Sequence, residues 1–237
     1  MRLEDAGPTA DVVPFVLEPT GGPAVRGSLH RPALFSGDAL VLTHGAGSNC
    51  RAPVLVVVAT ALAAKGVAVL RCDLPFRQAR PTGPPRRADA ERDRAGLRQA
   101  VLALRQAVGG RVFLGGHSYG GRQASVLSAD EPGLAEGLLL LSYPLHPPRR
   151  PSGLRTAHFP RLHTRALFVH GARDPFGSIE EMRRALAVIP GPRELIEIAG
   201  AGHDLSGRPQ TVTGQPSVAE TVARAFAAFC GRASRCS

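Results

Sequence analysis

Residues 116–120 read Gly-His-Ser-Tyr-Gly, and this G-x-S-x-G pattern constrains the fold more than any other part of the chain. The apolar segment 111–115 before it predicts a buried strand, and residues 121–129 after it predict a helix. A serine at such a strand-to-helix turn is held in a strained backbone conformation that lifts its hydroxyl above the sheet. The pattern alone also fits a plain glycine-rich turn, so the rest of the chain must decide between the two interpretations.

Strand-like and helix-like segments alternate along the chain, which is typical of a mostly parallel sheet with helices on both faces. Residues 14–18 and 25–30 flank a Thr-Gly-Gly turn and predict an antiparallel N-terminal hairpin. The remaining predicted strands are 39–43, 67–71, 111–115, 137–143, 166–170 and 193–198, and the predicted helices are 53–65, 88–108, 121–129, 178–188 and 217–230. We therefore expect an α/β fold.

Two proline-rich stretches are predicted as loops, one running through Pro85 and one covering residues 144–160. The second is the only segment where a lid could form, and it is too short for a cap domain. The sequence has no internal repeat and no linker-like tract. We expect residues 1–237 to form a single domain with an open site.

The net charge of +10 raises the question of nucleic-acid binding. Lys65 is the only lysine, so arginine carries the charge, and the arginines are spread along the whole chain. A nucleic-acid surface normally shows clustered basic residues with interleaved aromatic side chains. We therefore expect no nucleic-acid partner and interpret the arginine excess as a compositional bias.

The four cysteines, Cys50, Cys72, Cys230 and Cys236, form no C-x-x-C pair and predict neither a metal site nor a disulfide framework. Cys50 could line the site. The apolar run 54–64 is too short to span a membrane, and the first five residues lack the apolar core of a secretion signal. We expect a cytoplasmic protein without a membrane partner.

A serine nucleophile needs a histidine to accept its proton and a carboxylate to orient that histidine. Asp174 follows the predicted strand 166–170, and His203 follows the predicted strand 193–198. Both therefore belong to loops at the carboxyl ends of strands, where the ligand-binding and active sites of open α/β sheets lie. With Ser118 they give the chain order Ser, Asp, His. An Asx turn before a proline remains the alternative role for the aspartate, and a surface loop remains the alternative for the histidine.

Three further features bear on the same chemistry. Asp204 is a rival acid, but adjacent side chains on a loop rarely face each other. The oxyanion of an acyl-transfer intermediate needs backbone donors, and the N–H of Tyr119 is the first candidate. Ala46, in the loop after strand 39–43, is the second, with Gly47 as the alternative. His44 in this loop is expected to be structural rather than a base.

Several charged residues near these motifs have two interpretations each. Asp73 is expected to cap a loop rather than contact substrate. Arg77 and Arg122 could bind an acidic group, but a solvated charge or an ion pair is the expected role.

The chain resembles the α/β-hydrolase superfamily over nearly its whole length, and more closely its dienelactone-hydrolase-like branch. The segments that carry the resemblance are 43–47 (THGAG), 71–77 (RCDLPFR), 115–122 (GGHSYGGR), 143–148 (YPLHPP) and 170–177 (HGARDPFG). The branch more often has methionine after the nucleophile, where this chain has Tyr119. The resemblance implies a fold, a triad and a hydrolase activity, without assigning a substrate.

We expect a serine hydrolase that cleaves a small ester or related acyl substrate with Ser118, Asp174 and His203 and needs no cofactor or metal. Gly47, His117 and Tyr143 are the predicted substrate-binding residues. Two alternatives stay open: a non-catalytic binding domain that kept the fold, and acyl transfer to an acceptor other than water. The sequence predicts no oligomeric state.

Overall fold

The computed structural model describes residues 10–206 and 216–233. Eight strands form one sheet in the order β1-β2-β4-β3-β5-β6-β7-β8. Their bounds are β1 Asp11–Leu17, β2 Val25–Arg31, β3 Asp38–Thr43, β4 Ala68–Cys72, β5 Arg111–His117, β6 Leu138–Leu141, β7 Ala166–Gly171 and β8 Arg193–Ile198. The first five residues and Cys236, which the sequence interpretation used, lie outside the described part.

The sheet is antiparallel at its N-terminal edge and parallel elsewhere. β1 pairs with β2, and β2 pairs with β4, both antiparallel. From β4 through β3 to β8 every neighbouring pair is parallel. β3, β4, β6 and β7 are buried at every position, as their continuous apolar sequences require for central parallel strands. The expected α/β fold with an antiparallel N-terminal hairpin is therefore confirmed.

Helices cover both faces of the sheet. Their bounds are α1 Pro53–Ala63, α2 Pro75–Ala79, α3 Asp89–Val108, α4 Tyr119–Asp130, α5 Ile179–Leu186 and α6 Val218–Ala233. On one face α1 and α6 bury Leu62 and Phe226 with the apolar residues of the sheet. On the other face α3, α4 and α5 bury Leu97, Leu127 and Met182. In the described ranges no helix is both long and apolar enough to cross a bilayer.

One helix appears where the sequence predicts only a loop. α2 begins at Pro75, a favourable residue for a first helical position because proline lacks the N–H that would go unbonded there. It lies directly against α3, where a Cβ at Gly96 would come within 2.6 Å of Pro75. The prolines and glycines that follow α2 obscured this short element in the sequence.

Candidate active site

Ser118 occupies the turn between β5 and α4 in a backbone conformation that non-glycine residues rarely adopt, with φ 50° and ψ −115°. The strain is held by close packing around the turn, because a Cβ at Gly116 would come within 2.7 Å of Gly120 and a Cβ at Gly120 within 2.6 Å of the His44 carbonyl. The Ser118 N–H donates to the Leu141 carbonyl at 2.9 Å. The turn therefore has the geometry of a nucleophile elbow.

A continuous chain of hydrogen bonds starts at the Ser118 hydroxyl. Ser118 Oγ lies 2.8 Å from His203 Nε2, and His203 Nδ1 lies 2.8 Å from Asp174 Oδ2. The carboxylate can only accept, so the proton sits on Nδ1 and leaves Nε2 free to accept from the serine. The side chain of Asp174 is fully buried, and its other oxygen accepts from the Phe176 N–H at 2.8 Å.

The loops that carry Asp174 and His203 are fastened to each other and to the elbow. The Arg173 N–H donates to the Ala201 carbonyl at 2.9 Å, which joins the loop after β7 to the loop after β8. The ring of Phe176 lies 4.1 Å from the His203 ring. His117 Nε2 donates to the His203 carbonyl at 2.7 Å. These contacts fix the histidine from both sides.

Asp204, the rival acid, takes a different role. Its two carboxylate oxygens accept from the N–H and the hydroxyl of Ser206, at 3.0 and 2.7 Å. These bonds cap the local turn and lower the pKa of Asp204, the Ser206 hydroxyl contributing most. The described contacts of His203 therefore include Asp174 and not this neighbouring carboxylate.

The loop after β3, residues 44–50, brings Ala46 to the same cavity as Ser118 and Tyr119. Within the described ranges the backbone N–H groups of Ala46 and Tyr119 donate to no protein acceptor. Unbonded donors beside a nucleophile are the arrangement that stabilises an oxyanion. His44 is structural, as expected: its Nδ1–H donates to the Gly45 carbonyl, and its Nε2 accepts from the Leu74 N–H.

The side chain of Arg77 holds this loop by hydrogen bonds. The sequence interpretation expected a solvated charge or an ion pair and missed this role. The Arg77 side chain is buried. It donates to the carbonyls of Ala46 at 3.0 Å and Ser48 at 2.8 Å, and also to those of Arg80 and Gly83. Four backbone acceptors replace the carboxylate partner that a buried arginine usually needs.

Ser118 opens into a cavity of about 640 Å³. Its apolar and neutral lining consists mainly of Ala46, Pro85, Tyr119, Gln123, Val126, Pro144 and Phe176, and five arginines complete the wall. The phenolic hydroxyl of Tyr119 donates to Asp93 Oδ2 at 2.8 Å behind this lining. The α4 residues that face the cavity lie one helical turn apart, as one face of a helix requires.

The three predicted substrate-binding residues do not line this cavity. Tyr143 is fully buried beneath it, where its ring packs against Phe159 and its hydroxyl donates to the Arg155 carbonyl at 2.6 Å. Gly47 is exposed beside the cavity, and His117 lies on the far side of His203. Contact between these residues and a substrate therefore stays a prediction, because a position at a strand end does not tell which way the side chain turns.

The sequence interpretation considered Arg122 as a possible ligand of an acidic group but did not predict that five arginines would line one cavity. They come from residues 86–94, from α4 and from the 144–160 loop, so only the folded chain brings them together. The i, i+4 spacing of Ser118 and Arg122 was a signal available in the sequence. Cys50 is buried outside the cavity lining. No cluster of potential metal ligands occurs in the described part of the chain.

Residues 36–231 match the family model described as alpha/beta hydrolase domain. The fold is similar to dienelactone hydrolase from Anabaena variabilis ATCC 29413, with a TM-score of 0.71 and 22% identity over 94% of this chain and 98% of that one. An alpha-beta serine hydrolase homologue from Coxiella burnetii gives a TM-score of 0.70 and 18% identity over 90% and 97% of the two chains. Est1E from Butyrivibrio proteoclasticus gives 0.65 and 16% over 94% and 99%. The chain therefore belongs to the α/β-hydrolase domain family, and its fold is dienelactone-hydrolase-like.

Proposed function

We propose that this α/β hydrolase is an esterase-like serine hydrolase that works through an acyl-enzyme. The observation that carries the proposal is the unbroken hydrogen-bond chain from Ser118 through His203 to Asp174, with the serine at the floor of an open cavity. A domain that only bound a ligand would not need a strained serine, an oriented histidine and a buried carboxylate in one line.

In the first half of the reaction, Ser118 Oγ attacks the carbonyl carbon of the ester while its proton passes to His203 Nε2. The negative charge that develops on the carbonyl oxygen is stabilised by the N–H groups of Tyr119 and Ala46. The carbon–oxygen bond to the leaving alcohol then breaks, and His203 returns the proton to that alcohol. Asp174 stabilises the imidazolium that exists between these two proton transfers.

In the second half, water replaces the departed alcohol beside His203. Nε2 accepts a proton from the water as its oxygen attacks the acyl carbon. The bond to Ser118 Oγ breaks, the serine recovers its proton from His203, and the carboxylic acid leaves. An alcohol or amine in place of this water would give acyl transfer by the same steps.

The test combines labelling by a fluorophosphonate probe with turnover of p-nitrophenyl acetate. We expect wild type to be labelled and to release p-nitrophenolate, and Ser118→Ala to do neither. Ser48→Ala, a serine of the neighbouring loop, is the matched control and should retain both. Wild type indistinguishable from Ser118→Ala in both assays would refute the proposal. Product analysis with added alcohols or amines separates hydrolysis from acyl transfer.

A further inference from the structure

Five arginines line the cavity above Ser118, and the lining contains no acidic residue. We call this set the arginine wall; it consists of Arg86, Arg87, Arg94, Arg122 and Arg155. Arg86 and Arg87 are exposed at the rim, and the other three are half-buried. A cavity of about 640 Å³ with this lining concentrates positive charge around any molecule that reaches the serine.

The side chains of the arginine wall have no carboxylate partner within residues 10–206 and 216–233. Arg94 donates to the neutral amide oxygen of Gln123 at 3.1 Å. Among the described residues, the side chain of Arg155 makes a single hydrogen bond, a long one of 3.4 Å to the Pro144 carbonyl. The Nε of Arg122 is buried and has no hydrogen-bond acceptor in the described part of the chain. Leaving a buried donor unbonded destabilises a fold, so such a group usually has a reason to be there.

Other arginines of the same chain show what a structural role looks like. Arg98 pairs with Glu131, and Arg111 pairs with Asp38 at 2.7 Å. Arg77 lies at the edge of the site and is saturated by backbone carbonyls. These buried or half-buried arginines are bonded to carboxylates or carbonyls, whereas the buried Nε of Arg122 in the arginine wall has no acceptor in the described residues.

Two nearby carboxylates, Asp89 and Asp93, form no ion pair with the guanidinium groups of the wall in the described residues and bond to other groups instead. Asp93 accepts from the Phe76 N–H and the Tyr119 hydroxyl, and burial raises its pKa. Asp89 pairs with Arg80. Burial and then the charge of Arg122 lower the pKa of Arg155, the direction expected for cations held together without a counter-ion.

We infer that the substrate carries a group with at least two negative charges, such as a phosphate or phosphonate, on the part that occupies this cavity. Guanidinium groups present forked donors that match the oxygens of phosphate and carboxylate. A single carboxylate would leave most of the wall's charge uncompensated, whereas a dianion engages several arginines together. This inference rests on the proposed function, and it narrows the small ester or acyl substrate expected from the sequence to an anionic one.

The position of the arginines fits an anion held close to the reacting carbonyl. Arg122 follows Ser118 by one helical turn, and its N–H donates to the Ser118 carbonyl at 3.0 Å. Residues with this spacing lie on the same helix face. Arg94 approaches the same face from α3 through Gln123. The anionic group would thus lie over the N-terminal half of α4, where the helix dipole also favours negative charge.

The test compares three p-nitrophenyl esters whose acyl chains have the same length and end in a methyl, a carboxylate or a phosphonate: pentanoate, glutarate and 4-phosphonobutanoate. We expect kcat/KM to rise in that order, with the phosphonate ester at least about tenfold above the neutral one. Added salt should reduce the advantage of the charged esters. A neutral ester that equals or exceeds both charged esters would overturn the inference, and a carboxylate ester that equals the phosphonate would overturn the requirement for two charges.

Substitutions in the arginine wall test whether these arginines cause the preference for the phosphonate ester over the neutral ester. Arg122→Gln and Arg155→Gln should each reduce the ratio of kcat/KM for phosphonate over neutral ester by about tenfold. Arg92→Gln, which removes an exposed charge from α3 outside the cavity, should leave the ratio unchanged. Equal ratios in all three variants and wild type would contradict the assignment.

A binding measurement separates failure of this inference from failure of the proposed function. Ser118→Ala is titrated with inorganic pyrophosphate by calorimetry, with Arg122→Gln/Ser118→Ala as the comparison. Saturable binding that weakens about tenfold in the double variant supports the anion site even if wild type hydrolyses nothing. Absence of binding, together with turnover of neutral esters by wild type, refutes the anion site and leaves the hydrolase proposal standing.

Discussion

The strand-end loops and the arginine wall face the same cavity but differ in how their polar groups are satisfied. In the strand-end loops, which follow β3, β5, β7 and β8, Asp174 and His203 are bonded on both sides. In the arginine wall, Arg122 has a buried donor with no acceptor in the described structure. The side chains of Asp174 and His203 are therefore satisfied without a ligand, whereas that of Arg122 is not.

The contrast indicates a division of labour between the two regions. Groups that transfer protons work best when their orientation is fixed before substrate arrives, because reorganisation then adds nothing to the barrier. Groups that recognise a substrate must keep free donors, which the substrate satisfies when it binds. Variants in the strand-end loops should therefore act on kcat, whereas variants in the arginine wall should act on the choice of substrate.

The largest effect on kcat is expected at Asp174, which therefore gives the strongest test of the contrast between the strand-end loops and the arginine wall. Asp174→Asn keeps the size of the side chain but presents an amide donor to His203 Nδ1. The histidine then favours the tautomer with its proton on Nε2, which cannot accept from Ser118. We expect kcat for an activated ester to fall by about 10⁴-fold, with the rate measured in a spectrophotometric assay.

Asp204→Asn is the matched control for this prediction. The residue adjoins His203, but its carboxylate caps the Ser206 turn. We expect kcat to stay within a few-fold of wild type. Equal losses in the two variants would mean that the loop as a whole, and not the carboxylate of Asp174, supports the histidine.

Arg77 tests whether preorganisation extends to the loop after β3, residues 44–50. Arg77→Ala frees the carbonyls of Ala46 and Ser48 and lets the loop move away from Ser118. We expect kcat to fall by about 10², the scale of a lost oxyanion donor, while KM changes less. Arg51→Ala, an exposed arginine just beyond the same loop, is the control. A lower melting temperature with unchanged kcat in the folded enzyme would contradict a positioning role.

The same contrast explains what the sequence could and could not predict. Ser118, Asp174 and His203 follow strands that are recognisable as apolar runs, and parallel strands bring their carboxyl ends to one edge. Their proximity was therefore predictable, although their catalytic roles remain proposals. Arg94, Arg122 and Arg155 come together only through the packing of α3 on α4 and the return of a proline-rich loop, which no local pattern encodes.

Two particular differences between the sequence interpretation and the structure have the same physical origin. Tyr143 follows β6 as a site residue would, but its ring turns into the aromatic cluster with Phe159 and Phe168. α2 was hidden because proline both ends and begins helices, and only its contact with α3 shows which it does here. Side-chain direction and helix–helix contacts are tertiary properties, which a local sequence pattern does not encode.

The prediction that residues 1–237 form one domain stays a prediction.

Asp93 joins the two regions, since it lies on α3 and accepts from Tyr119 at the elbow. Asp93→Ala leaves the Tyr119 hydroxyl and the Phe76 N–H without their acceptor. We expect the free energy of unfolding to fall by about 2 kcal/mol, measured by urea denaturation, with Glu91→Ala on the same helix as the exposed control. An unchanged free energy would contradict this contact as the junction between the regions.

The pH dependence of Asp93 has a definite sign. Burial raises the pKa of this carboxyl in the folded state, so the folded protein binds more protons than the unfolded chain between about pH 4 and the raised value. Stability therefore decreases as the pH rises through that window. Asp93→Asn cannot ionise, and we expect it to remove this decrease when unfolding is followed at a series of pH values.

The smallest expected effect is a difference between two buried histidines, His30, which accepts from Arg71, and His158, which lies behind the arginine wall beside Arg122. Burial lowers the pKa of both to about 4, with Arg71 contributing at His30 and Arg122 at His158. The unfolded chain binds more protons between about pH 4 and 6.5, so stability falls as the pH decreases, by about 1–3 kcal/mol for each histidine. The contribution of each histidine is the difference in the free energy of unfolding between wild type and His30→Gln or His158→Gln, measured by urea denaturation.

Sulfate bound at the arginine wall would offset the charge of Arg122 but not that of Arg71. We expect sulfate to reduce the contribution of His158 by a few tenths of a kcal/mol and to leave that of His30 unchanged. An equal reduction at both histidines would indicate general screening by salt and would contradict selective binding at the wall.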